Sequence, residues 1–242
     1  MIIRAPQQTD IPRLKELWSR VFQESAESVD AFFETAFFCD HALVVAQGEP
    51  VGALYWLDGH LQGRKMACLF AVAVDEAYRG QGLGKKLVEQ ACRILESQGY
   101  AGALLVPAQD SLYTYYNKVG FSAFGKMQKV EVAAMGPAIG LTAVDGAAYL
   151  QARQEALGWD APMGQYLQKL CKLYVGDGFC LALDGNYLQE YLGPGEYLPR
   201  VLHTLKLENG IARLPGGTAP AGMARLFVQG VQLPEYFGPM LD

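Results

Sequence analysis

The stretch that decides the reading is Leu69-Phe70-Ala71-Val72-Ala73-Val74-Asp75-Glu76-Ala77-Tyr78-Arg79-Gly80-Gln81-Gly82-Leu83-Gly84-Lys85-Lys86. It opens with an apolar run, passes through a glycine cluster, and continues into an amphipathic segment over residues 83–98. Leu83, Leu87, Ala91, Ile94 and Leu95 recur there at helical spacing. The pattern predicts a strand over 66–74, a glycine-rich turn and a helix that ends at Gly99. The first N–H groups of a helix have no intrahelical partner and carry partial positive charge. Glycines bring such a backbone close to an anion without a Cβ in the way. The stretch therefore reads as a site for a phosphate group.

Spacing narrows the choice of phosphate. A magnesium-nucleotide loop needs four residues between its glycines, then Gly-Lys-Ser/Thr. Here only three separate Gly80 from Gly84, and Lys85 is followed by Lys86, with no hydroxyl for magnesium. In a G-x-G-x-x-G dinucleotide fingerprint the third glycine would fall on Lys85 or on Leu87, and neither fits. What fits is R-x-x-G-x-G, carried by Arg79, Gly82 and Gly84. This resembles the pyrophosphate loop of the GNAT superfamily, the acyl-CoA-dependent N-acyltransferases. The run from Ala71 to Gly80, with Tyr78 just before the arginine, resembles the strand that family feeds into its loop. Further on, Tyr115-Tyr116-Asn117-Lys118-Val119-Gly120-Phe121 resembles the family's helix-to-strand signature. Gly120 suits a left-handed residue after a helix, and Phe121 the start of a strand. The resemblance covers residues 2–132.

The resemblance assigns roles. Gly80, Gly82 and Gly84 would present the loop backbone to the pyrophosphate of acetyl-CoA, with Arg79 at its head and Lys85 adding charge. The backbone of Val72 and Val74 would pair with the pantetheine amides, like a strand added to a sheet edge. A backbone N–H there would polarise the thioester carbonyl. Tyr116 would be the general acid, since an ordinary phenol keeps its proton at neutral pH and can give it to a departing thiolate. Asn117 would contact the cofactor. Many members place a glutamate base in the central strand; here 68–74 holds no carboxylate. Glu24, Glu27 and His41 are other titratable groups, and no spacing singles one out. One tandem branch, the enhanced-intracellular-survival type aminoglycoside acetyltransferases, uses a C-terminal carboxylate, which would put Asp242 in that role. The expected activity is transfer of an acetyl group to a primary amine of a small molecule or peptide by direct attack. The alternative is a non-catalytic acyl-CoA-binding regulatory protein.

Composition agrees with a globular enzyme. The chain has 242 residues, 51% of them hydrophobic, and a formal net charge of −5. That charge argues against a nucleic-acid partner and leans toward a cationic acceptor. Five cysteines, Cys39, Cys68, Cys92, Cys171 and Cys180, show no metal spacing and read as small core residues. His41, His60 and His203 form no ligand pair, so no metal is expected. The N-terminal residues lack a signal-peptide core and no run reaches membrane-span length. The expectation is a cytoplasmic monomer or homodimer with no membrane contact.

The whole chain reads as α/β (α+β). Residues 1–133 form a GNAT-like, mixed and mostly antiparallel sheet flanked by helices. Its strands are predicted at 2–4, 42–46, 51–57, 66–74, 100–107 and 121–133, with a hairpin turn at Asp58-Gly59. Its helices are predicted after a Thr9 or Asp10 cap, at 28–38, at 83–98 and at 111–118. Phe32, Phe33, Phe37 and Phe38 cover two sides of the second helix, as core or as the wall of an acceptor pocket. Residues 134–140 read as a linker. Residues 141–242 form a smaller α+β half, with helices at 144–157, 163–174 and 199–207 and strands at 180–183, 187–192, 211–214 and 225–229. That half fits either a degenerate GNAT-like repeat or an unrelated cap.

Overall fold

The computed structural model describes residues 1–153 and 157–238. In chain order the elements are β1 (Ile2–Arg4), α1 (Ile11–Phe22), α2 (Ala26–Thr35), β2 (Ala42–Gln47), β3 (Glu49–Leu61), β4 (Arg64–Val74), α3 (Leu83–Ser97), β5 (Gly102–Leu105), α4 (Asp110–Asn117), β6 (Ser122–Phe124) and β7 (Met127–Ala133). There follow β8 (Thr142–Ala143), α5 (Gly146–Ala152), β9 (Leu157–Trp159), α6 (Ala161–Leu170), β10 (Lys172–Gly176), β11 (Phe179–Asp184), β12 (Tyr187–Leu192), α7 (Leu198–Thr204), β13 (Asn209–Pro215) and β14 (Gly222–Leu226). They fall into two compact units, Met1–Ser122 with Met223–Val231, and Ala123–Gly222 with Gln232–Asp242.

In the first unit the strands lie in the order β1-β2-β3-β4-β5-β14. All neighbours are antiparallel except β4 and β5. The amphipathic helices explain the layering. On α1, Leu14, Leu17 and Trp18 are buried, and Pro12 sits in the first turn, where its missing N–H costs little. Asp10 precedes α1 without capping it: its carboxylate is taken by Arg4, at 2.6 and 3.1 Å, and by the Gln7 N–H. Ser25 caps α2 by accepting from the Ser28 N–H. On α3 the predicted apolar face is buried at Leu83, Leu87, Ala91 and Leu95, packed under β2, β3, β4 and β5.

Two expectations about this unit change. The hairpin between β3 and β4 turns at Gln62-Gly63, both with positive φ, not at Asp58-Gly59. Asp58 and Gly59 stay in the ladder opposite Ala67 and Met66. Burial of Asp58, bonded by the Tyr100 hydroxyl at 2.8 Å and by Lys65 at 2.6 Å, holds it in the strand. The strand predicted over 121–133 is two strands, broken at Gly125 with φ +62°.

The second unit has a six-stranded sheet in the order β7-β13-β12-β11-β10-β8. Only β12 and β13 run parallel. The division expected at 134–140 therefore shifts. Met127–Ala133 pairs along its whole length with β13 and belongs to the second sheet. Conversely, the strand predicted at 225–229 starts and ends three residues earlier, as β14, and its residues from Met223 on pair antiparallel with β5 in the first unit. The predicted helices shorten: α6 stops at Leu170 and β10 takes over from Lys172. Inside this unit Glu190 is fully buried on β12. It accepts from Arg153 at 2.7 and 2.9 Å and from the Tyr149 hydroxyl at 2.6 Å. Arg153 also donates to the Gly238 carbonyl at 2.5 Å, fixing the last described residue. Asp242 lies outside the described residues. No helix among the described residues is long and apolar enough to cross a membrane.

Candidate active site

The site is built on β4. Its first half pairs on both edges, with β3 from Arg64 onward and with β5 through Met66, Ala67 and Cys68. The ladder to β5 ends at Cys68 opposite Leu104, while β4 runs on to Val74. On the other edge the register shifts: Tyr55 stands opposite Phe70, yet Ala53 stands opposite Ala73. One extra residue on β4 takes up the difference. Ala71, with φ +46°, adopts the left-handed conformation that such a bulge needs. The bulge resets which face each side chain takes. Ala67 and Leu69 pack on the α3 side, and beyond the bulge Val72 and Val74 pack on that same cluster. Past Cys68 the β4 edge that faced β5 has left its ladder, so its N–H and C=O groups can pair with an extended ligand.

Val74 leads into a short turn and then the glycine loop. Gly80 and Gly82 have φ of +78° and +71°, and a Cβ at either would meet nothing within 4 Å. Backbone conformation, not crowding, calls for glycine there, and the loop's surroundings are open. Gly82 is the N-cap of α3, and no side chain caps the helix. Lys86 donates back to the Gly82 carbonyl at 3.1 Å, which leaves the N–H groups of Leu83, Gly84 and Lys85 as the unpaired first turn. At Gly84 the constraint is space: a Cβ would lie 3.1 Å from the Tyr115 hydroxyl and 3.8 Å from Val74 Cγ2. An open, uncapped helix start with exposed Arg79, Lys85 and Lys86 around it fits a diphosphate.

Tyr116 closes the core side of the site. It is buried at the last turn of α4, its ring 5.1 Å from Tyr115 and 6.0 Å from Phe121. The Val119 and Phe121 N–H groups both donate to its carbonyl, at 3.0 and 3.1 Å, which ends the helix there. Burial, reinforced by neighbouring Tyr115, raises the phenol well above its ordinary pKa. It therefore holds its proton at neutral pH and is a donor, not a base. Cys68, on β4 before the bulge, is no nucleophile either: burial pushes its thiol up to about 12.

The Acetyltransferase (GNAT) family profile matches residues 11–121. The uncharacterised N-acetyltransferase YhbS of Escherichia coli K12 is 30% identical over 121 residues, 48% of this chain and 72% of its own length. The chain belongs to the GNAT acetyltransferase family. A glucosamine 6-phosphate N-acetyltransferase of Trypanosoma brucei brucei is 36% identical over 70 residues, 29% of this chain and 47% of its own length. The chain spans between a third and a half of the length of the first curated relatives it matches. A GCN5-related N-acetyltransferase structure from Anabaena variabilis superposes with a TM-score of 0.71 at 15% identity, over 94% of this chain and 73% of that one. That likeness is one of fold.

In the GNAT domain the predicted residues are only partly gathered. Val72, Val74 and Tyr116 meet in one apolar cluster with Leu83 and Leu87, and Gly84 touches its edge through Val74 and Tyr115. Arg79 folds back, its Nε donating to the Val74 carbonyl at 3.2 Å, so it braces the loop head. Lys85 lies 3.8 Å from Glu89 one turn on. Asn117 is exposed; its carbonyl accepts from the Gly120 N–H at 3.1 Å. Of the other candidate bases, Glu27 is exposed in the first turn of α2. His41 stacks on Trp56 and lies 3.6 Å from Asp58. Glu24 is half-buried near Trp18, with its carboxyl raised by burial.

Three contributors escape a sequence reading. Tyr115 lies over Gly84, though the signature assigns a role only to its neighbours Tyr116 and Asn117. Ala71 carries the bulge, and alanine gives no signal for a left-handed residue. Asp75 ties the loop head to α1: it accepts from Arg13 at 2.8 Å and from Arg20, and its other oxygen accepts from the Ala77 N–H at 3.2 Å. Those partners are distant in sequence, so no local motif announces them.

Proposed function

We propose that this chain transfers the acetyl group of acetyl-CoA to the primary amine of a small molecule or peptide by direct attack. The observation that carries the reading is the course of β4, which leaves β5 after Cys68, bulges at Ala71 and runs into an open, uncapped glycine cradle. The cradle holds the pyrophosphate through the N–H groups at the start of α3. The freed edge around Val72 and Val74 aligns the pantetheine. A β4 N–H beside the bulge stabilises the charge that develops on the thioester oxygen. The amine nitrogen bonds to the carbonyl carbon as the C–S bond breaks. Tyr116 gives its proton to the departing thiolate, the proton of the amine passes to water, and Tyr116 takes a proton back from water to restore the phenol. Five free cysteines, three of them buried, and the raised Cys68 thiol support direct transfer without an acyl-enzyme.

The absence of a carboxylate from β4 favours a second reading, a non-catalytic acyl-CoA-binding regulatory protein. One experiment separates the two. Acetyl-CoA is expected to raise the melting temperature, and thiol release should follow on adding primary amines. Tyr116→Phe should lower kcat about a hundredfold, with the KM for acetyl-CoA nearly unchanged. Stabilisation by acetyl-CoA without thiol release for any amine selects the binding protein. Unchanged turnover in the variant removes Tyr116 from the acid role.

A further inference from the structure

On the α1/α2 face of the first unit lies an aromatic cluster that is buried at its base and partly exposed at its edge. Trp18, Phe32 and Tyr55 are its floor, each 1% exposed, with Trp18 4.8 Å from Phe32 and 5.3 Å from Tyr55 between ring centroids. Phe33, Phe37 and Phe70 form its rim and are only half-buried. Phe33 and Phe37 are 4.8 Å apart, and Phe70 is 5.4 Å from Trp18. An ordinary core grades into polar surface at its edge; this one presents partly exposed ring faces.

Three observations say what the cluster takes. First, the Tyr55 hydroxyl is buried and has no hydrogen-bond partner among the described residues. A phenol there carries a desolvation penalty with nothing to offset it, and a phenylalanine would pack as well without that penalty. Second, Phe70 is the residue before the Ala71 bulge, so the rim abuts the part of β4 given to the thioester above. Third, the cations on α1 are committed: Arg13 and Arg20 to Asp75, and Lys15 to Asp30 at 2.7 Å. A phosphorylated or otherwise anionic acceptor finds no uncommitted cation on that helix. The Lys15 ammonium already lies over the Phe33 ring, 5.5 Å from its centroid, so these ring faces do hold a cation. An acceptor ammonium meets the remaining faces and the half-buried Glu24 near Trp18.

We infer that this cluster is the acceptor pocket and that the acceptor is a primary amine carried on an aromatic ring. The ring lies against Phe33, Phe37 and Phe70, and Tyr55 bonds a polar substituent on it. This rests on the acetyltransferase reading and names the substrate class of the same site.

The test measures acetyl-CoA-dependent thiol release by the full chain with phenethylamine, tyramine and glucosamine 6-phosphate. The kcat/KM for the aromatic amines should exceed that for the sugar phosphate at least tenfold. Phe33→Ala, at the half-exposed rim, should raise the KM for phenethylamine about tenfold and leave that for acetyl-CoA unchanged. Tyr55→Phe should raise the melting temperature, because it removes an unpaired hydroxyl, and should erase an about fivefold preference for tyramine over phenethylamine. Preference for the sugar phosphate overturns the inference, as does an unchanged acceptor KM in Phe33→Ala. If no amine of the panel reacts although acetyl-CoA stabilises the protein, the acceptor assignment falls. If acetyl-CoA does not stabilise it at all, the acetyltransferase reading falls instead.

Discussion

Asp75 shows how much a single residue outside every motif can hold. It is buried at the exit of β4, where its own N–H donates to the Val51 carbonyl at 2.8 Å and Arg13 and Arg20 converge on one carboxylate oxygen. Burial alone would raise this carboxyl; the Ala77 N–H, Arg20 and Arg13 together hold it below its ordinary value. A depressed carboxylate pKa adds stability above the unfolded value, and that stability is lost as pH falls through the folded one. Asp75→Asn keeps the bond to the Ala77 N–H but faces both guanidinium groups with a neutral oxygen. The expected loss at pH 7 is about 1–2 kcal/mol, kept modest because Arg20 is half exposed to solvent. In urea titrations the gap between wild type and variant should hold at neutral pH and narrow as pH falls below about 4, the unfolded carboxyl's range. A gap that stays constant with pH would show that the carboxylate charge contributes nothing. At this scale the sequence is legible where a motif fixes a backbone, as at the left-handed Gly82. It is silent on Asp75, Tyr55 and Ala71, whose roles come from residues brought near only by folding.

Among elements, the strand-loop-helix from β4 to α3 was the most legible, because period-two and period-3.6 patterns meet at a glycine cluster. The β3–β4 hairpin was less so. Asp58-Gly59 has the residue types of a tight turn, but Tyr100 and Lys65 keep Asp58 in the ladder, and the chain turns at Gln62-Gly63 instead. Turn chemistry is a local preference that buried hydrogen bonds can outweigh. The α3 N-terminus offers a test of local preference on its own. At Gly82 a Cβ would touch nothing, so Gly82→Ala probes only the left-handed φ of +71°. Holding alanine there costs about 1–2 kcal/mol, and relaxing it rotates the N–H groups of the first turn away from the bound phosphates. The KM for acetyl-CoA should rise about tenfold while kcat changes little, since Tyr116 lies on α4. Unchanged KM would mean that the pyrophosphate is held elsewhere.

For the whole molecule, the sequence showed a family domain followed by something smaller, and it misjudged where the chain is cut. The reason is range. β5 and β14 pair as Met223 to Leu105 and Arg225 to Ala103, across more than a hundred intervening residues, and no local periodicity encodes such a pairing. β7 looked like the last strand of the first half because it follows Phe121, yet its partner is β13. Neither unit is therefore one continuous segment. Residues 1–133, the domain a motif reading would excise, lack β14 and leave β5 with an unpaired edge. They also lose Met223, which is fully buried in the same cluster as Tyr116. An exposed apolar strand edge is a template for aggregation. The 1–133 fragment should be poorly soluble and unfold without a sharp transition in urea. Residues 1–122 joined to 223–231 through a flexible linker of about ten residues should regain cooperative unfolding, because the returning strand covers β5. Because 1–133 also carries the orphaned β7, residues 1–122 alone serve as the matched control, and they differ from the linked form only in the returning strand. A soluble, monomeric 1–133 fragment with a transition as sharp as that of the linked form would show that the returning strand is dispensable to the domain bearing the glycine loop.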